Sequence, residues 1–409
     1  MHSSKKGLSI FVSVLFFLGL FYTAYRYPFK INSSVTSPTY SDTPGWLSIG
    51  KYIIFSIIMY YFALRILLGD KIVKIYKPIY LFVYSFLFAI PLVSGILTQR
   101  IDIIESGIFF LIPGFFHFFS EKLDVKHFNR IIYIAIYVYV FVECLQILLF
   151  VLYDRLPALA YEGTFSIRFG SLLDDPNSFG ILISFFIGFM WENNSKRDKL
   201  LFLLLGIFLL LTQSLTSIFS VMIATIAYIL LFIIRYPNRF IRILLVSVVF
   251  FLLFSIVTFF NFNKILSTVD LFWEMKLGSI ITHLSVIDTL KQITIIQYLG
   301  LNPIVPLGES GYINILANMG IVYLLVYIGI GLSSILKTYI IINNKNTNIE
   351  DKRIARGIFF FLITVYIAMI NLPFEQVFPI NIVLTIFVGL LSTDSLIIER
   401  KQEEVEQLH

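Results

Sequence analysis

The sequence predicts an all-α polytopic integral membrane protein, and three observations carry that prediction. First, 58% of the 409 residues are hydrophobic and 14% charged, with a mean hydropathy of +0.87. A soluble chain carries about 25% charged and about 45–50% apolar residues, so too little polar surface exists here to keep a fold of this size in water. Second, the apolar residues gather into runs close to the ~20 needed for a helix to cross the hydrocarbon core. Those runs are too continuous for the alternating strands of an outer-membrane barrel. Third, the connections between runs alternate in basic content, as the positive-inside rule requires. The same composition excludes disordered, collagen-like and nucleic-acid-binding chains.

Twelve spans follow in order: 7–25, 48–68, 78–97, 103–119, 131–152, 178–191, 200–213, 217–234, 241–260, 312–338, 356–372 and 377–395. The first follows Lys5 and Lys6 and is not trailed by an A-x-A-like cleavage site, so it reads as a retained signal anchor. With the N-terminus in the cytoplasm, 22 of the 31 Lys and Arg residues fall on cytoplasmic segments and 9 outside. The cytoplasmic ones form clusters, such as 195–199 and 235–242. Both termini are then cytoplasmic, including a tail at 396–409. Residues 1–409 form a single membrane domain with outer loops at 26–47, 153–177 and 261–311. No repeat relates the two halves, in contrast to many secondary transporters. The single cysteine, Cys144, allows neither an intramolecular disulfide nor a Cys-based metal site.

Polar and potentially chemical residues concentrate in the outer loops. In the second loop, Asp175-Pro176 is a helix-start signal, with an acidic N-cap and proline at the first helical position. Asn177, Ser178 and Gly180 complete the turn. A helix N-terminus there favours an anion, and Arg168 and Arg155 in the same loop suit phosphate binding. The competing reading is an ordinary helix start with arginines touching lipid headgroups. Between the seventh and eighth spans, Thr212, Gln213, Ser214, Thr216 and Ser217 interrupt two apolar runs. They serve either a hairpin turn or a substrate-facing one. In the third loop, 274–300 has the pattern of an amphipathic interfacial helix, with Lys276 and His283 on nearly one face. Its basic face would meet either a pyrophosphate or headgroups. Glu309, Ser310 and Tyr312 then open a long span. Glu143 lies midway along the fifth span, where a carboxylate is a functional candidate or a paired structural group. Glu105 lies near the outer surface, where solvation is its simplest fate. Metal-ligand spacing, a P-loop and GxGxxG are all absent, so no metal and no nucleotide cofactor is expected.

The series RFGSLLDDPNSFG (168–180), LTQSLTS (211–217) and GESGYINILANMGI (308–321) resembles the O-antigen polymerase and ligase superfamily, most closely its Wzy-type polymerases. The resemblance covers the chain from about residue 130 onward. It implies a GT-C-like glycosyltransferase, free of metal, that lengthens glycans carried on undecaprenyl diphosphate. The reaction would take place at the outer face of the bacterial inner membrane and serve O-antigen, capsule or exopolysaccharide. The anomeric carbon of one repeat unit is attacked by a sugar hydroxyl of another, and undecaprenyl diphosphate leaves. Such chemistry needs cations at the leaving group and a base at the hydroxyl.

Under this resemblance Arg168 is the leaving-group arginine and Lys276 a second basic position. Glu309 becomes a base or acceptor-positioning group, with His283 a further catalytic candidate. Arg155, Asp175, Asn177, Gln213, Ser214 and Tyr312 would contact diphosphate or glycan. Ligases of the superfamily carry a histidine where this chain has Gly308-Glu309-Ser310, which favours polymerase over ligase. Leu215 stands where the family often has an arginine. The implied partners are the lipid-linked glycan, the bilayer and a candidate chain-length regulator. A lipid-linked oligosaccharide flippase is the alternative from a different class, and a non-enzymatic scaffold is a third.

Overall fold

The computed structural model describes residues 7–22, 45–68, 77–119, 123–153, 161–162, 167–173, 175–192, 195–233, 294–295 and 310–393. In chain order the helices are α1 (Gly7–Phe21), α2 (Gly45–Leu67), α3 (Pro78–Thr98), α4 (Ile101–Ile108), α5 (Leu111–Phe116), α6 (Val125–Tyr153), α7 (Pro176–Met190), α8 (Lys196–Leu211), α9 (Leu215–Tyr228), α10 (Gly311–Asn343), α11 (Ile349–Ala368) and α12 (Ile380–Ser392). A π-helical turn, Ile229–Ile233, continues α9. The one sheet among the described residues is a two-residue antiparallel pairing of β1 (Tyr161–Glu162) with β2 (Ile167–Arg168).

Among the described residues four helices are long and apolar enough to cross a membrane: α2 over Ile49–Leu67, α3, α6 over Val125–Leu152, and α10. Their free surfaces carry Ile53, Ile57, Phe82, Leu97, Phe141, Leu325 and Leu332, all exposed. Water does not tolerate apolar surface on that scale, whereas lipid does. This is the architecture of an α-helical membrane protein.

Helix occupies eleven of the twelve segments expected from the sequence, and the other, 241–260, lies outside the described residues. Two helices start six or more residues earlier than hydropathy suggests. α6 begins at Val125 and α11 at Ile349, because polar first turns extend the helix beyond its apolar run. Asn348 caps α11 by accepting the Asp351 backbone N–H at 2.7 Å.

The expected continuous span at 103–119 is instead broken at Phe109–Phe110. Pro113 is the cause: it has no N–H to offer the Phe109 carbonyl, and its ring presses on that carbonyl. The backbone N–H of Ile112 takes the Phe109 oxygen instead, at 3.0 Å. The long span opened by Tyr312 is also interrupted. Gly320 has φ 84°, a conformation that glycine adopts without strain. Ser94 Oγ of α3 donates to the Asn318 carbonyl beside this break at 3.2 Å. Tyr323 just beyond it donates to the Leu87 carbonyl at 3.1 Å.

α7 and α12 form the centre of the core. Every residue of α12, and every residue of α7 except Asn177, is buried. α7 and α11 approach backbone to backbone through two glycines. A Cβ at Gly188 would lie 2.7 Å from the Arg356 carbonyl, and one at Gly357 2.7 Å from the Phe185 ring. Small residues at helix crossings permit this close packing inside a membrane.

Contacts between helix ends sort into two faces. On one, the Asp124 backbone N–H donates to Ser9 Oγ at 2.7 Å and Tyr133 donates to Asp198 at 3.1 Å. Arg353 donates to the Tyr133 hydroxyl at 2.8 Å, and Arg356 pairs with Glu192 at 3.1 Å. On the other lie Lys51–Glu105 at 3.7 Å, Arg100–Asn318 at 3.3 Å and Arg168–Thr212 at 2.8 Å. Each contact joins ends that the alternating span map assigns to the same side. Glu105, expected to be simply solvated, instead has Lys51 as an ionic neighbour.

Candidate functional site

The Arg168 face contains two polar constructions. The first joins the end of β2, the start of α7 and the turn between α8 and α9. Arg168 Nε donates to the Thr212 carbonyl at 2.8 Å, and Nη2 donates to Asn177 Oδ1 at 3.0 Å. The Phe169 backbone N–H reaches the Leu211 carbonyl at 3.4 Å. Ser217 Oγ donates to the Asn177 carbonyl at 3.0 Å, so α9 is tied to α7 as well. Two segments whose bonded residues are 40 to 44 apart in sequence thereby form one junction.

Local sequence explains each part. Asp175 is extended and its carboxylate accepts from the backbone N–H groups of Asn177 and Ser178, each at 3.0 Å. It also accepts from Asn177 Nδ2 at 3.0 Å and Ser178 Oγ at 2.9 Å. The turn at 212–214 is a hairpin in which Gln213 takes φ 49°, the left-handed region. Ser214 caps α9, accepting from the Ser217 backbone N–H at 3.2 Å and donating to Ser217 Oγ at 2.8 Å.

This geometry corrects one expectation. The start of α7 is not an open anion site. Pro176 has no N–H, Asn177 and Ser178 give theirs to the Asp175 carboxylate, and Phe179 donates to the Asp175 carbonyl at 3.0 Å. All four first-turn positions are accounted for, and the occupying group is itself negative. Asp175 is therefore a cap. Arg168 is a strut between α7 and the hairpin. Both of these acceptors are neutral oxygens.

The second construction surrounds the start of α10. The Gly311 backbone N–H donates to the Met369 carbonyl at 2.9 Å. Ser310 is the N-cap residue but makes no side-chain cap bond. Tyr312, expected at the substrate, directs its hydroxyl to the Tyr366 carbonyl. Glu375 lies in the turn between α11 and α12, 2% exposed. Its Oε1 accepts from Asn314 Nδ2 at 3.5 Å, while Oε2 has no hydrogen-bond partner among the described residues. Burial pushes this carboxyl up to about 8, against smaller opposing effects of its own backbone N–H and Asn314. Behind Asn314, Asn318 Nδ2 donates to the Asn314 carbonyl at 2.9 Å, and Arg100 Nη1 donates to Asn318 Oδ1 at 3.3 Å. Arg100 is held by Asp102.

Glu143 faces the first construction from α6. It is fully buried between Tyr139 and Gln146, which both bond Ser171. Neither Glu143 oxygen has a hydrogen-bond partner among the described residues. Arg155, Lys276, His283 and Glu309 lie outside the described residues. Glu375 was missed from sequence. Its one signal is a carboxylate in the short stretch between Pro373 and Pro379, flanked by apolar runs. Among the described residues no group of three or more His, Cys, Asp or Glu could hold a metal ion. No family model matches the chain, and no curated protein matches it in sequence.

Proposed function

We propose that this chain polymerises oligosaccharide repeat units carried on undecaprenyl diphosphate. In this reading about twelve spans cross the bacterial inner membrane, the Arg168 face is outside, and both termini are cytoplasmic. The fold would be GT-C-like, and a chain-length regulator would act alongside it. The observation that carries the reading is the pair of hydrogen bonds from Arg168 to Thr212 and Asn177. They join two of the three segments on which the polymerase resemblance rests, on the face that the basic-residue asymmetry assigns to the outside.

In this mechanism Arg168 stands at the donor diphosphate, fixed by its two neutral acceptors so that its charge is preorganised. Developing negative charge on the leaving group is stabilised without reorganisation of the site. The bond to the leaving group already stores the energy of the bond to be made, so no nucleotide is consumed.

Purified protein in nanodiscs, supplied with a defined undecaprenyl-diphosphate repeat unit, is expected to yield a ladder of lengthened products. Transfer to lipid A core without lengthening would make the protein a ligase. Movement of the unlengthened substrate across liposomes would make it a flippase. Orientation has a separate check. Cysteines introduced at 165 and 295 should be labelled from outside intact cells, and labelling of one at 197 would invert the map.

A further inference from the structure

The polymerase reading leaves the attacking hydroxyl without a base inside the described residues, while Glu375 is a buried carboxyl with no role in the spans. Two independent features meet there. One is the first turn of α10, whose N-cap Ser310 makes no side-chain capping bond. The other is Glu375 itself, with Oε2 unpartnered and set directly against Gly311, where any Cβ would collide with that oxygen. Glycine is what lets the carboxyl approach the helix start.

A sugar hydroxyl both donates and accepts a hydrogen bond. The start of α10 offers both complements within one turn: a carboxylate oxygen to take its proton, and the Asn314 amide as a donor close to the same carboxyl. Behind it Asn318, itself bonded by Arg100, donates to the Asn314 backbone carbonyl and so fixes the helical turn that carries the amide. An apolar core position would not be built this way, because a half-satisfied buried carboxyl costs stability.

We infer that Glu375 and Asn314 seat the attacking hydroxyl of the acceptor sugar, with Glu375 as the general base. This rests on the polymerase reading. The hydroxyl oxygen forms the new bond to the donor's anomeric carbon, and the bond from that carbon to the diphosphate oxygen breaks with its electron pair. The hydroxyl proton passes to Glu375 Oε2 and is later released to water. Among the described residues the titratable side chains facing Glu375 are Tyr312, Tyr323 and Tyr327 of α10, with Tyr366 of α11 bonded to the Tyr327 carbonyl.

The test is ladder formation from the defined repeat unit by purified full-length protein, followed against pH. A base works when unprotonated, so wild-type kcat/KM should rise as pH increases through about 8. Glu375→Gln keeps shape and should lower the rate by about 100-fold or more, with the pH limb abolished. Glu375→Asp should recover part of the rate. Asn314→Ala should raise KM for the acceptor more than it lowers kcat. A lengthening wild type whose profile is flat through that pH range overturns the assignment of Glu375, even if Glu375→Gln fails to fold. So does a folded Glu375→Gln within threefold of wild type. A wild type that lengthens nothing overturns the polymerase reading and this inference together.

Discussion

The two constructions on the Arg168 face differ in one respect that separates scaffolding from chemistry. Around Asp175, Asn177 and Ser217, the hydrogen-bonding groups of the α7 start are met by protein partners. Around Glu375 one carboxyl oxygen is buried with nothing to bond. A saturated junction fixes helices, and an unsaturated one keeps binding capacity for something that arrives. The motif most conspicuous in the sequence, Asp-Pro-Asn, belongs to the saturated kind. The inconspicuous turn holds an unsaturated group at the start of a helix, whereas another unsaturated carboxyl, Glu143, lies midway along α6.

Arg168 is where the comparison breaks most easily, because it belongs to the saturated junction and is also the proposed charge stabiliser. Loss of one well-placed stabiliser commonly costs about 100–1000-fold in rate. Arg168→Ala should therefore nearly abolish polymer, and Arg168→Lys should restore only part, since lysine cannot span two acceptors. Arg168→Ala should also melt earlier in detergent. Wild-type ladders from a less stable Arg168→Ala protein would make it a strut alone.

The next largest effect concerns packing. A Cβ at Gly180 would lie 2.6 Å from the Ser217 Cβ. Gly180→Ala should then cost about 1–3 kcal/mol by overpacking, and adding Ser217→Gly should recover much of it. An additive loss in thermal melts would mean that α7 and α9 do not meet there. Removing the cap is milder. Asp175→Ala should cost about 1 kcal/mol, while Asp175→Asn should be close to wild type. If instead Asp175→Ala tightened donor binding, measured by titration with undecaprenyl diphosphate, the α7 start would be an anion site held shut by its own carboxylate. The smallest expected effect is none: EDTA should leave ladder formation unchanged. Loss restored by a divalent ion would require a metal in place of protein charges at the diphosphate.

Legibility in the sequence followed the range of the interactions. The helix start at Asp175-Pro176 was readable because a cap is set by neighbours within three residues. The helical segments were readable because hydropathy integrates over a whole span. The break at Phe109–Phe110 is hidden from a hydropathy average and is announced only by Pro113, four residues beyond the Phe109 carbonyl. Arg168 meeting Thr212 depends on two chain segments docking, and no local pattern encodes that. Glu375 escaped notice because its significance lies in burial and missing partners, which only packing creates.

The break at Gly320 also sets a depth. Beyond it, 321–343 is about 23 residues, or about 35 Å of helix, enough by itself for the ~30 Å hydrocarbon layer. The preceding stretch 311–319 adds only about 14 Å and is surplus to the crossing. With the longer piece filling the hydrocarbon, Asn314 and the turn bearing Glu375 would come to rest at the level of the lipid headgroups. That is the height at which a diphosphate anchored by its polyprenyl tail floats, so donor and acceptor would meet by sliding in the plane of the membrane, and neither would have to be lifted out of it.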